Sequence, residues 1–320
     1  MQNHRSPHEM TDRFIIFGGS ASQELAAAIA AELGVSPGAC TVERFPDGEL
    51  SVRLDEPVRG REVFFVQSTS PPVNDHLIEL LVFADACRRA SATHLTAIIP
   101  YFGYARADKR HACREPITAS MVAELLQTVG VSHVVTMDLH APQIEGFFRI
   151  PVDSLTALPV LSQAISQRCP PDVVIVSPDV GRAKMAIAYA ERLGTGVAVL
   201  HKRRASRTEL EIRHLAGEVR DRSCVIVDDM ISTGGTIVES VATLRRAGAR
   251  PEIKVAATHG LFVDGARERL DETGVQEIIV TDTVPRPARP WPQLHVVSSA
   301  PLLAAAIRRF LAAGSLSDLC

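Results

Sequence analysis

Short apolar runs rich in β-branched residues recur along the chain, each followed by a polar turn and then by apolar residues at helical spacing. In the N-terminal half they fall at Phe14 to Phe17, Val63 to Val66, Thr96 to Ile99 and Val134 to Met137. In the C-terminal half they fall at Val173 to Val176, Cys224 to Val227, Lys254 to Ala257 and Ile278 to Thr281. Runs of this length and composition predict buried parallel strands. Between them the spacing predicts helices over Gln23 to Leu33, closed by Gly34, and over Arg182 to Leu193, closed by Gly194. The clearest helix is Asn74 to Ala90, where Leu77, Leu80, Leu81, Ala84 and Cys87 share one face and Asn74 or Asp75 stands ready to cap. A last helix, Leu302 to Leu311, follows a strand at His295 to Val297.

Three of the four strand pairs recur about 160 residues apart, which points to duplication of one α/β unit. The expected fold class is α/β, with two similar doubly wound, mainly parallel-sheet domains. Residues 1–13 read as a disordered lead-in, 14–154 as the first domain and 155–301 as the second. Prolines from Pro151 to Pro159 mark the boundary.

A length of 320 residues supports two such cores. The formal net charge of −3 supplies no global basic field for nucleic acid or an anionic membrane, so anionic substrates need local basic clusters. No apolar run approaches a membrane span of about 18 residues. Six well-separated cysteines without a C-x-x-C pattern read as reduced, mostly core thiols of a cytoplasmic protein.

The stretch from Cys224 to Gly248 carries the most chemistry. An apolar run leads into Asp228 and Asp229, then Ser232-Thr-Gly-Gly-Thr236, then a helix through Ile237, Val238, Val241 and Leu244. Glycines and hydroxyls at a helix start make a nest of N–H groups that favours phosphate. Two carboxylates repel that phosphate, so they fit sugar hydroxyls or a divalent ion, and the combination predicts a sugar phosphate. Phe45-Pro-Asp-Gly-Glu49 is a hairpin turn between alternating strands. Pro100 to Arg110 sets Tyr101, Phe102 and Tyr104 beside Arg106, Lys109 and Arg110, a grouping able to stack a base and pair with phosphates. His140 and Asp179 each follow a strand, and His201-Lys-Arg-Arg-Ala-Ser-Arg207 concentrates four cations.

Asp228 to Thr236 resembles the ribose 5-phosphate loop shared by phosphoribosyltransferases and ribose-phosphate diphosphokinases. Phe45 to Glu49 matches the adenine-nucleotide loop of the diphosphokinases alone, and five motifs in family order span Phe14 to Leu311. The resemblance implies domains of the phosphoribosyltransferase type, with the last helix returning to the first domain. It implies a transferase that moves the diphosphoryl group of ATP onto ribose 5-phosphate. ATP contacts carry over to Phe45, Asp47, Gly48, Glu49, Arg106, Ala107 and Asp108, and Mg²⁺ ligands to His140 and Asp179. Lys202 and Arg204 carry over as catalytic. Ribose 5-phosphate contacts carry over to Arg204, Asp228, Asp229, Ser232, Thr233, Gly234, Gly235 and Thr236. A homo-oligomer, commonly a hexamer, is also implied. The rivals are a phosphoribosyltransferase acting on a base and a non-catalytic regulatory homologue.

The chain departs from the family pattern at four places. Ala107 stands for glutamine, removing a nucleotide hydrogen bond worth ~1 kcal/mol. Ser232 stands for aspartate, and Ser154 for the asparagine of members inhibited by ADP. Arg182 stands for glycine, where it either adds a phosphate contact or faces solvent.

Overall fold

A computed structural model describes residues 13–110, 112–203 and 212–320, and the chain divides into two compact units. Of the expected lead-in, residues 1–12 lie outside the described residues. Unit 1 comprises the chain through Thr156 together with Thr283–Pro285 and Ser298–Cys320, and unit 2 comprises Ala157–Asp282 and Arg286–Val297. The last segment of chain therefore belongs to unit 1 from Ser298 onward, four residues before the start at Leu302 read from the sequence.

Unit 1 runs β1 (Phe14–Gly18), α1 (Gln23–Leu33), β2 (Cys40–Arg44), β3 (Leu50–Leu54), β4 (Glu62–Val66), α2 (Val73–Arg89), β5 (His94–Ile99), α3 (Thr118–Val129), β6 (His133–Met137) and β7 (Val152–Leu155). Its parallel sheet has the order β1-β4-β5-β6-β7, and β2 and β3 form a separate antiparallel hairpin. Side-chain alternation along a strand sends neighbours to opposite faces, so a sheet covered on both sides needs apolar residues at every position. Phe65 stacks on Phe83 of α2 at 3.7 Å between ring centroids, whereas Phe64 faces Phe310 of the terminal helix Ala300–Leu311 at 6.4 Å. That terminal helix packs on α1, and Arg308 donates to the Glu32 carbonyl at the end of α1.

One cap differs from expectation. α2 begins after Pro72 with no side-chain cap, because Asn74 instead accepts from the Tyr104 hydroxyl and Asp75 pairs with Arg44 at 2.7 Å. Both candidates are engaged in holding neighbouring loops.

Unit 2 runs α4 (Leu158–Arg168), β8 (Val174–Ser177), α5 (Ala183–Leu193), β9 (Gly196–Arg203), β10 (Ile212–Ala216), β11 (Cys224–Ile231), α6 (Gly235–Arg246), β12 (Ile253–Gly260), α7 (Ala266–Glu272), β13 (Glu277–Thr281) and β14 (Leu294–Val297). Its seven strands lie in the order β10-β9-β8-β11-β12-β13-β14, with only β10 antiparallel. The order reverses between β8 and β11, and the crevice beyond the carboxyl ends of strands at such a reversal is where α/β sheets bind ligands. Ile226, Ile237, Val241 and Leu244 pack together beneath that crevice.

All six cysteines are free. Cys87 and Cys224 are buried, but Cys40 and Cys169 are half-buried and Cys113 and Cys320 exposed, so the expectation of mostly core thiols holds for two of them. Burial pushes the Cys87 thiol up to about 12 and the Cys224 thiol up to about 11. Neither is a nucleophile at neutral pH.

Candidate functional site

The strand that carries the acidic pair is longer than the sequence suggested. β11 does not end at Val227: it pairs with β12 through Ile231↔Gly260, so Asp228 and Asp229 are strand residues and not the first residues of a turn. On its other edge β11 pairs with β8 only as far as Ile226↔Val176. The four residues after Val227 thus overhang β8, and the loop that leaves β8 reaches this overhang through Arg182.

That contact turns Arg182 away from solvent and gives it partners that the sequence did not suggest. Its Nη2 donates to Asp229 Oδ2 at 2.9 Å, and its Nε lies 3.4 Å from Asp228 Oδ1. Its backbone N–H donates to Asp179 Oδ1 at 3.1 Å. The expected helix start moves with it: Val180–Arg182 form a 3₁₀ turn capped by Asp179, and α5 begins at Ala183. Three carboxylates are therefore gathered around one residue. The Asp228 carboxyl is held well above the usual carboxylate range, first by burial and then by its neighbour Asp229, against the opposing pull of Arg182.

Past Ile231 the chain turns through Ser232 and Thr233 to Gly234, which caps α6 at φ 79°. Glycine is needed there because a side chain strains that backbone. Arg269 fixes the turn by donating to the Thr233 carbonyl at 2.8 Å, and the Val263 N–H donates to the Ser232 carbonyl at 3.1 Å. The first N–H groups of α6 have no partner within the helix, and its first turn carries no acidic residue. Thr233 and Thr236 are exposed and Ser232 half-buried, so hydroxyls and N–H groups are presented together at the positive helix end. Such a helix start can take a dianionic phosphate, and the carboxylates beside it can accept hydrogen bonds from hydroxyls.

In unit 1 the hairpin tip presents Phe45, 48% exposed, on a turn closed by Phe45 N–H to Glu49 O at 2.8 Å. Gly48 has φ 97°, and Asp47 accepts from the Glu49 N–H at 3.1 Å. Arg44 braces the turn by donating to the Gly48 carbonyl at 3.1 Å. The loop after β5 corrects the reading of its aromatics. Tyr101 and Phe102 are buried, Phe102 lying edge-on to Phe148 at 6.0 Å, so these two rings anchor the loop and are not open to a base. Arg106 is exposed, Ala107 half-buried and Asp108 buried, with its carboxylate accepting from the Gln143 amide. Gln143 has no sequence signal for that role. His140 is half-buried just past β6, where Asp138 adopts φ 38°.

Lys202 is described only as a backbone position of β9, paired with Arg213, and Arg204 lies outside the described residues. Among the described residues no group of three or more His, Cys, Asp or Glu side chains is arranged to hold a metal. No helix among them is long and apolar enough to cross a membrane.

Comparison with known proteins decides the relationship. Two family models match, the N-terminal domain of ribose phosphate pyrophosphokinase over residues 14–130 and the phosphoribosyl synthetase-associated domain over 211–320. The chain is 46% identical over 310 residues to a ribose-phosphate pyrophosphokinase of Gloeobacter violaceus, covering 96% of this chain and 93% of that one. It belongs to the ribose-phosphate pyrophosphokinase family. A second relative of that name, from Rhodopirellula baltica, is 47% identical over 95% of this chain and 97% of its own. The crystal structure of phosphoribosylpyrophosphate synthetase from Mycobacterium smegmatis superposes with a TM-score of 0.88 at 44% identity, covering 94% of this chain and all of that one. The likeness to that structure extends over 94% of the chain and therefore reaches both units.

Proposed function

We propose that this chain makes 5-phosphoribosyl 1-diphosphate from ribose 5-phosphate and ATP, with the sugar phosphate seated at the end of β11. The observation that carries the reading is the join of buried carboxylates to an acid-free, glycine-capped helix start at Ser232 to Thr236. The sugar 1-hydroxyl attacks the β-phosphorus of ATP, the bond from that phosphorus to the α-phosphate oxygen breaks, AMP leaves, and the hydroxyl proton passes to solvent. Such a transfer needs positioning and charge stabilisation and no covalent intermediate.

Asp228 accepts from sugar hydroxyls, and the turn from Ser232 to Thr236 holds the 5-phosphate. Phe45, exposed at its hairpin tip, covers the adenine, with Asp47, Gly48 and Glu49 beside it. Arg106 meets the triphosphate, while Ala107 and Asp108 line the same loop. Lys202 and Arg204 stabilise charge on the departing oxygen, and Arg204 also meets the sugar. The Asp179 carboxylate is an oxygen donor of the kind a hard cation takes, and Mg²⁺ keeps several waters and needs only one or two carboxylates. His140 and Asp179, each in its own unit, would each serve as a ligand to Mg²⁺, which when bound supplies charge neutralisation on the phosphate oxygens. We further assign the protein to the cytoplasm, in keeping with its six free cysteines, and to a homo-oligomer.

The test is AMP release from ATP with ribose 5-phosphate, with and without Mg²⁺. AMP formed only when both substrates and the metal are present supports the reading. Release of AMP that does not depend on ribose 5-phosphate overturns it.

A further inference from the structure

The two units make one contact twice, in different chemistry. In unit 1, Ser22 immediately precedes α1 and its hydroxyl accepts from the Ser68 N–H at 3.0 Å. Ser68 is the second residue after the apolar run Val63 to Val66. In unit 2, Arg182 immediately precedes α5, also a helix of 11 residues, and donates to Asp229 at 2.9 Å. Asp229 is the second residue after the apolar run Cys224 to Val227. Helix start and strand end are thus tied at the same place, by a neutral pair in unit 1 and by an ion pair in unit 2. The neutral version shows that the tie does not need charge. Burying an ion pair costs desolvation that a neutral pair avoids, so its presence in unit 2 calls for a reason beyond packing.

We propose that Arg182 is a positioning residue for the sugar: it fixes Asp229 as its counter-ion, so that Asp228 alone is presented to the sugar hydroxyls. The proposal rests on the reading of this turn as the ribose 5-phosphate seat. Burial orders the two acids in that way, since the Asp229 side chain is 3% exposed and that of Asp228 13%. Distance does so too. The 2.9 Å contact to Asp229 is a charge-assisted hydrogen bond, whereas 3.4 Å to Asp228 leaves that carboxylate near the cation without committing it. Arg182 cannot drift from this post easily, because its main-chain N–H is held by Asp179. Without the guanidinium, the buried Asp229 carboxylate loses this counter-ion beside Asp228, and Asp228 either swings from its neighbour or takes up a proton. In both cases the acceptor for the sugar is lost.

Steady-state kinetics on the full chain test this. Arg182→Gln should raise the KM for ribose 5-phosphate by ~10-fold or more while that for ATP stays within ~3-fold. Arg182→Lys, which restores the charge, should return the sugar KM to within ~3-fold of wild type. The double variant Arg182→Gln/Asp229→Asn removes both charges and rebuilds a neutral tie, so it should also recover to within ~3-fold, and it decides the matter if Arg182→Gln alone fails to fold. A double variant as impaired as either single change would mean that Asp229 itself contacts the sugar, and would overturn the proposal. Equal rises in both KM values for Arg182→Gln would overturn it as well, by showing a merely structural part. Asp228→Asn separates this failure from that of the underlying reading. If Asp228→Asn leaves the sugar KM unchanged, the seat has been assigned to the wrong ligand and both fall; if it raises that KM while the double variant stays impaired, the proposal alone falls.

Discussion

Unit 1 and unit 2 repeat one topology and put opposite things at its most useful point. In each, a first strand and an 11-residue helix lead to an antiparallel hairpin and then to four more parallel strands. At the exit of the second strand, unit 2 has Asp228 and Asp229 and unit 1 has Gln67 and Ser68. Gln67 is fully buried, its carbonyl accepting from the Ala21 N–H at 3.1 Å, and it fills the space above Gly19 so closely that a Cβ there would clash with its amide. Unit 1 has closed the crevice with neutral hydrogen bonds, while unit 2 keeps it charged and half-open. The hairpins diverge in the same sense. That of unit 1 is a free-standing sheet with an aromatic and acidic tip, whereas in unit 2 the hairpin joins the main sheet through β9 and leads into the basic stretch from His201. The two units share a topology, and the residues at the strand exit and at the hairpin tip are where they differ.

The largest break in that comparison should come from the basic hairpin. Lys202→Ala should lower kcat by at least ~10²-fold, the scale for losing one preorganised stabiliser, with ATP affinity within a few-fold. A near-wild-type kcat would return Lys202 to an ordinary surface position. Next comes the closed crevice of unit 1. Gln67→Glu buries a carboxylate where the amide now donates to the His76 carbonyl at 3.4 Å, and should destabilise by ~3 kcal/mol, lowering Tm by roughly 5–10 °C. Its KM values for both substrates, measured below the transition, should stay unchanged. Sharper still is the exchange of ligands between tips. Phe45→Ala should raise the KM for ATP by about 10-fold and Asp228→Ala that for ribose 5-phosphate by at least as much, neither moving the other. Matched effects on both substrates would erase the division of labour.

Much of this was legible beforehand, for reasons that differ by residue. The strands and α1 could be read because parallel strands covered on both faces are continuously apolar, and α1 ends at a glycine with φ 72°. The end of β11 could not, since polar residues inside a strand look like a turn until the partner strand is known; β12 is what carries the pairing to Ile231. Tyr101 and Phe102 misled for a related reason, because an aromatic beside arginines has the same sequence whether it faces a base or the core. The tie from Arg182 to Asp229 spans 47 residues and depends on loop geometry that no local pattern encodes. The acids stand out in the sequence because their chemistry next to Thr-Gly-Gly-Thr is local.

The smallest effect concerns pH, and it tests whether the open crevice is maintained against stability. The folded state holds the Asp228 carboxyl well above its ordinary value, chiefly through burial, so between the unfolded value near ~4 and the raised one the folded chain binds the extra proton. Stability from this group is therefore fully present at low pH, declines as pH rises through that window, and is flat beyond it. This is opposite in sign to an ion-paired carboxylate such as Asp85, whose pKa Arg88 and Arg89 lower and whose contribution is lost on acidification. Asp228→Asn should remove the decline, so the Tm of unit 2 should be higher than wild type at neutral pH, by a few degrees if about 1 kcal/mol is recovered, and equal to it at acid pH. Calorimetry from acid to neutral pH reads both arms. A wild-type Tm that rises with pH across this window, or an Asp228→Asn profile parallel to wild type, would show that the charge costs nothing. In unit 1 the corresponding strand exit already carries a buried amide, Gln67, so no such decline is expected from that position.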